Sequence, residues 1–312
     1  MCGIIGILPR PCTRVAPQPS EILSLLDAAL AAGNNMVAVA DALMAADQML
    51  RGDAGMQTLA GNISLTNEIQ SRLDVIDSVA NIEEARIDAL HVDTATLDTE
   101  ALRLSRVRDA SWAIRRDRLR TADAVHVLAG AQAAASSLAG YLSIQQSLSA
   151  IDRMEVRGRD SAGISVIVSS PSFATMTSAL AEAVAARGDD PLFTNRSVRH
   201  SGSTIVFVYK AAAEIGELGD NTRHMREAVA SDDLLRTVLA VEGARTSVLG
   251  HTRWASVGII SEPNAHPVNG EEVEAENSAV SVAVLNGDVD NHAELKVRHN
   301  LRFADPITTD AK

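Results

Sequence analysis

The chain opens Met1-Cys2-Gly3-Ile4-Ile5-Gly6-Ile7-Leu8, a nucleophilic side chain followed at once by a short apolar run. The run is rich in β-branched residues and is closed by Pro9 and Pro11, so it reads as a strand. Small Gly3 is compatible with removal of Met1, and removal would place a thiol and a free α-amino group on the same residue, Cys2. An α-amine has an ordinary pKa of about 8, low enough for it to act as a base near neutral pH for the thiol beside it. A lone cysteine at position 2 is more often incidental, so the weight of this reading depends on the rest of the chain.

Outward from that strand, prolines fall at 9, 11, 17 and 19 and then not again until Pro171, and residues 62–129 also lack glycine. Proline and glycine are the strongest helix breakers, so the gap predicts long helices. Leu65, Ile69, Leu73, Ile76 and Ala80 follow three-and-four spacing and share one helical face, as in an antiparallel hairpin or small bundle. Arg103, Arg106, Arg108, Arg115, Arg116, Arg118 and Arg120 crowd residues 101–120, a pattern that usually marks a solvated face and otherwise a docking surface for an acidic partner. Further strands are expected at 163–168, 204–209, 247–249 and 281–285. The β-rich part is therefore split around a helical block.

With 312 residues the chain is long enough for about two domains. Apolar residues are 46% and charged residues 22%, ordinary for a globular protein, but aromatics are only 3%, which favours helices packed through small side chains. The formal charge of −12 provides no electrostatic footprint for nucleic acid or an anionic membrane surface, so neither is an expected partner. Two cysteines, Cys2 and Cys12, supply neither a disulfide framework nor a cysteine-based zinc site, which suits a reducing, cytoplasmic setting. No secretory signal is read at the N-terminus. Residues 124–151 contain no charge, but His126, Gln132, Gln145, Gln146 and several serines make a buried helix the better reading than a membrane span.

Four later segments carry the chemistry. They are Glu155-Val156-Arg157-Gly158-Arg159-Asp160-Ser161-Ala162-Gly163, then Gly250-His251-Thr252-Arg253-Trp254-Ala255-Ser256-Val257-Gly258, then Asn264-Ala265-His266-Pro267, then Asn286-Gly287-Asp288-Val289-Asp290-Asn291-His292. Each alone reads as a turn or a helix cap; Asn286-Gly287 after an apolar run, for example, is a hairpin signal. In this order, and with Met1-Cys2-Gly3 ahead of them, they resemble the class II glutamine amidotransferases, the N-terminal nucleophile glutaminases. The form is most similar to the glutaminase domains that feed ammonia to a sugar phosphate such as fructose 6-phosphate.

The resemblance implies that Cys2 attacks the γ-amide carbon of glutamine, releasing ammonia and then glutamate by way of a thioester. It makes the Asn286 side chain and the Gly287 N–H the donors to the tetrahedral oxyanion, a role in which each donor has a large effect. Arg253 matches the arginine that holds the substrate α-carboxylate, a task for a planar, permanently charged fork. Trp254 and Ser256 shape the pocket, and Asp310 of the Thr309-Asp310 step pairs with the substrate α-ammonium. Arg157, Gly158 and Asp160 support the nucleophile loop, while His251, His266 and His292 have packing or hydrogen-bonding roles and hold no metal. No cofactor is implied. Val156 and Arg159 replace residues that are usually aromatic, and Val257 stands where the most similar members commonly have histidine, which weakens glutamine binding or shifts more of it onto Arg253.

The implied fold is α+β, an αββα four-layer sandwich of the N-terminal nucleophile type, incomplete at its C-terminal end and carrying an inserted all-α subdomain. Its parts are a discontinuous glutaminase domain at 1–18 and 151–312 and a helical insertion at 19–150, suited to regulating access, to homo-oligomerisation or to contact with a partner. The expected partners are glutamine and a sugar-phosphate acceptor domain outside this chain. Two alternatives stand beside this reading: a non-catalytic glutamine-sensing or scaffold module, and the glutaminase domain of another class II enzyme, such as the phosphoribosylamine-forming one.

Overall fold

The computed structural model describes residues 2–89, 93–213, 217–271 and 280–312. The chain divides into two compact units, residues 12–127 and residues 1–11 with 128–312.

The first unit is all helical: α1 (Pro19–Ala31), α2 (Met36–Met49), α3 (Gly52–Leu59), α4 (Ile63–Asp88) and α5 (Thr94–Trp112), the last running through a π-helical turn (Ala113–Leu119) into α6 (Arg120–Ala129). Side chains set the helix starts. Asn35, Asn62 and Asp93 each accept a backbone N–H from the first turn of α2, α4 and α5. The apolar stripe of α4 is buried at Leu65, Ile69, Leu73, Ile76 and Ala80. Five of the arginines of 101–120 pair with acids inside the unit: Arg103 with Glu100, Arg106 with Asp41, Arg108 with Glu84, Arg115 with Asp74 and Asp77, and Arg118 with buried Asp47, which also holds Arg51.

The second unit is built on a five-stranded antiparallel sheet in the order β1 (Gly3–Ile7), β5 (Arg245–Arg253), β2 (Ser161–Ser169), β4 (Thr204–Ala211), β3 (Val198–Ser201). Helix α7 (Leu138–Met154) lies on β5 and β1, and α9 (Asp220–Ala230) on β4 and β2, covering one face. The approach of α7 is close because small residues face each other: a Cβ on Gly250 would stand 2.9 Å from Ser147 Oγ and 3.0 Å from the Ile151 side chain. The other face carries Val206 and Val208 against Phe193, Val280 and Val282, beneath a short ribbon of β6 (Val268–Asn269) and β7 (Val282–Ala283). Helices α8 (Ser178–Ala185), α10 (Asp233–Leu239) and α11 (His292–Arg298) complete this unit.

The division differs from the boundaries read in the sequence. Residues 12–18 go with the helices, since the Arg14 guanidinium donates to the carbonyls of Gln48 and Arg51 and Thr58 Oγ1 donates to the Pro17 carbonyl at 2.8 Å. The boundary expected at 150 falls inside α7, whose Tyr141, Ile144, Leu148 and Ile151 are buried in the sheet-bearing unit. The stretch 124–151 is not one helix. It breaks at Gly130, which takes φ +81°, a conformation strained for any other residue, before α7 begins. Among the described residues no helix is long and apolar enough to cross a membrane.

Candidate active site

The register of the sheet assembles the site. Gly3 of β1 pairs with Thr252 of β5 and donates its N–H to Thr252 Oγ1 at 3.0 Å, which brings half-buried Cys2 alongside the end of β5. The Trp254 N–H donates to Cys2 Sγ at 3.3 Å, and the thiol lies 3.8 Å from the Trp254 carbonyl. Trp254 is 56% exposed. Met1 and the expected change at the N-terminus lie outside the described residues.

The loop after β5 is held by the segment before β2. A Cβ on Gly158 would stand 2.8 Å from the Thr252 carbonyl and 2.9 Å from the Arg253 N, so only glycine admits this backbone crossing. The Asp160 N–H donates to the Arg253 carbonyl at 3.2 Å, and Asp160 Oδ2 accepts the Ala255 N–H at 2.7 Å. Arg157, from the same segment, is exposed. Arg253 is 4% exposed; its guanidinium donates to the carbonyls of Val257 and Ile259. Burial pulls it below its ordinary pKa, against the opposing pull of Cys2, Asp160 and Asp310. These four groups, from both ends of the chain, therefore share one electrostatic neighbourhood.

Asp310 is brought there by its own backbone partners. Its Oδ2 accepts the Val289 N–H at 2.6 Å, and the preceding residues are bound by Asn264. The fully buried Asn264 side chain accepts the N–H groups of Thr308 and Thr309 at 2.7 and 2.9 Å and donates to Pro306 O and Ser261 Oγ. Ser256 hydrogen-bonds Asp288. A cleft of about 560 Å³ opens beside Asp310, lined also by Val289, His292, Lys296, Phe303 and Lys312; Cys2 is not part of its wall.

Asn286 and Gly287 are exposed, and no hydrogen bond joins them to Cys2 among the described residues. A Cβ on Gly287 would meet nothing closer than a Leu285 methyl at 3.9 Å, so the space above this backbone is open. The residue just before them is gripped from both sides: Leu285 N–H donates to His266 Nδ1 at 3.1 Å, and His251 Nε2 lies 2.9 Å from the Leu285 carbonyl. His292 caps its own turn through the Val289 carbonyl.

Over 73 residues, 23% of this chain and 11% of the relative, the sequence is 42% identical to glutamine–fructose-6-phosphate aminotransferase [isomerizing] of Chlamydia caviae. Over 95 residues, 29% of this chain and 15% of the relative, it is 32% identical to the protein of the same name from Streptococcus agalactiae serotype III. The kinship is partial. The matched stretches are a small fraction of those relatives' length, and neither a family model nor a solved structure matches the chain.

Two residues in this unit were not singled out as site residues from the sequence. Asn264 sat within a quoted motif, and its signal is an amide placed in a segment that buries almost every side chain around it. Lys210 interrupts the apolar strand β4 and is 2% exposed, its ammonium without a hydrogen-bond partner among the described residues and 5.1 Å from the centroid of the Phe193 ring. Burial, with Lys312 adding repulsion, pushes its pKa down to about 7.

Proposed function

We propose that the sheet-bearing unit is the glutaminase part of a glutamine-dependent amidotransferase, with an N-terminal nucleophile sandwich as its fold. The observation that supports the reading is the convergence on Arg253 of Cys2, Asp160 and Asp310, drawn from segments up to 308 positions apart, with the Cys2 thiol already accepting the backbone N–H of the residue after Arg253. Partial similarity to glutamine–fructose-6-phosphate aminotransferases supports the same assignment.

In this reading Met1 is removed and the freed Cys2 amine takes the thiol proton. The sulfur then attacks the glutamine γ-carbonyl carbon, forming a C–S bond and moving the carbonyl electron pair onto oxygen, where the Asn286 amide and the Gly287 N–H receive it. Collapse breaks the C–N bond, and the ammonium returns its proton to the leaving nitrogen, which departs as ammonia. Water, deprotonated by the same amine, adds to the thioester through a second oxyanion; the C–S bond breaks, the sulfur regains the proton and glutamate leaves. Arg253 binds the substrate α-carboxylate, Asp310 its α-ammonium, and Trp254 and Ser256 border the pocket. The ammonia aminates a sugar phosphate such as fructose 6-phosphate in a domain outside this chain.

A γ-diazoketone analogue of glutamine tests this directly. Intact mass should show a chain starting at Cys2, and one equivalent of label should map to the Cys2 peptide. Retention of Met1, or no label on a folded chain, removes the catalytic reading and leaves a non-catalytic glutamine-sensing or scaffold module.

A further inference from the structure

Two buried histidines have no step in the chemistry above, yet both bind the backbone just ahead of its oxyanion donors. His251 lies on β5, opposite Gly163 of β2. The segment bearing His266 lies directly on the sheet at that point, its carbonyl 2.3 Å from where a Cβ on Gly163 would be, so glycine at 163 is what lets it settle there. The two rings face each other with centroids 4.5 Å apart and planes inclined by 31°.

Both rings reach one residue. A carbonyl only accepts, so His251 Nε2 carries the proton it donates to Leu285 O at 2.9 Å. A backbone N–H only donates, so His266 Nδ1 is bare where it accepts from Leu285 at 3.1 Å, and the ring proton is on Nε2. This arrangement requires an uncharged His266. Burial, aided by His251, Arg253 and Lys210, holds His266 down to about 3, and burial holds His251 down to about 4. The donor and the acceptor of Leu285 are thus both taken by side chains from two separate segments, and the next residues are Asn286 and Gly287.

We infer that His251 and His266 form a clamp on the Leu285 peptide that aims the Asn286 side chain and the Gly287 N–H at the developing oxyanion, an inference that rests on the glutaminase reading. They are positioning residues. The two bonds fix the peptide planes on either side of Leu285, the second of which carries the Asn286 N–H, and so set the position and direction from which the chain enters Asn286 and Gly287; a misplacement of about 1 Å in such a constellation costs on the order of 100-fold in rate. Exposed Asn286 and Gly287 have few contacts of their own to hold that aim, so it must come from the residue before them.

The test compares His266→Asn with His266→Gln in the whole chain. Both remove the ring, but the shorter asparagine places its amide oxygen close to the position of Nδ1, whereas glutamine places its own near Nε2. Glutamate release from glutamine, cysteine alkylation by iodoacetamide and thermal melting are measured for each variant and the wild type. The expected result is a kcat for the glutamine variant lower by about 100-fold, largely restored in the asparagine variant, with KM changed less than about threefold and alkylation of Cys2 unaltered. Equal kcat values in the two folded variants, or a loss confined to KM, overturn the clamp while leaving the glutaminase reading intact. A folded, processed wild type that releases no glutamate overturns both.

Discussion

At the scale of single residues, the side chains that make the site are outnumbered by those that hold it. Asn264 is the clearest case: one buried amide makes three hydrogen bonds that tie 306–309 to the loop after β5 and a fourth to Ser261 within that loop, and Asp310 follows immediately. Asn264→Ala leaves the buried Thr309 N–H and the part-buried Thr308 N–H without an acceptor, a cost of roughly 1–3 kcal/mol for the buried group. We expect a lower denaturation midpoint together with a raised KM for glutamine, since Asp310 loses its anchor; unchanged KM in the folded variant would show that Asp310 is held without Asn264. Motif order in the sequence made Cys2, Arg253 and Asp310 legible as candidates. The grip on Leu285 was not legible, because a hydrogen bond between a ring nitrogen and a peptide from a distant segment leaves no periodic trace. Arg157 could be read only as part of a motif, and its side chain is exposed.

At the scale of elements, close approach between backbone and helix decides the architecture. Gly250→Ala pushes a methyl to 2.9 Å from Ser147 Oγ and from the Ile5 side chain, between α7 and the paired strands β5 and β1. Overpacking of this kind costs roughly 1–3 kcal/mol, and urea denaturation should show it, whereas an unchanged midpoint would mean that α7 moves freely on the sheet. Five strands were readable from β-branched runs, since each has apolar residues bounded by turn formers. The short strands β3 and β6 were not, because Val198–Ser201 and Val268–Asn269 are too brief to show alternation. Helices α4 and α5 followed from missing breakers. The turn that ends the helical run is hard to read in the sequence because charge-free residues 124–151 conceal it, and Gly130, which takes φ +81°, is its local mark.

At the scale of the whole molecule, the pH dependence of stability has a distinctive source in the layer beneath the sheet. Lys210 has a pKa near 7 when folded, against about 10.4 when unfolded. Between these values the unfolded chain binds the extra proton, so stability from this group rises with pH across that window and is lowest below it. Lys210→Met should flatten that rise and raise stability at pH 7 by roughly 2 kcal/mol, read as a higher melting temperature; a variant with the same pH slope as wild type would contradict the burial argument. Buried neutral His251 and His266 act in the same direction at lower pH, withdrawing stability as pH falls from about 6.5 toward their folded values of about 4 and 3. All these groups surround one function, and the most direct measurement of it is glutamate release from glutamine by the chain after mass spectrometry has established a Cys2 N-terminus, with Cys2→Ala alongside. The account predicts release by the wild type that vanishes in the variant. Equal release from both, or none from a processed chain with intact circular dichroism, would contradict it.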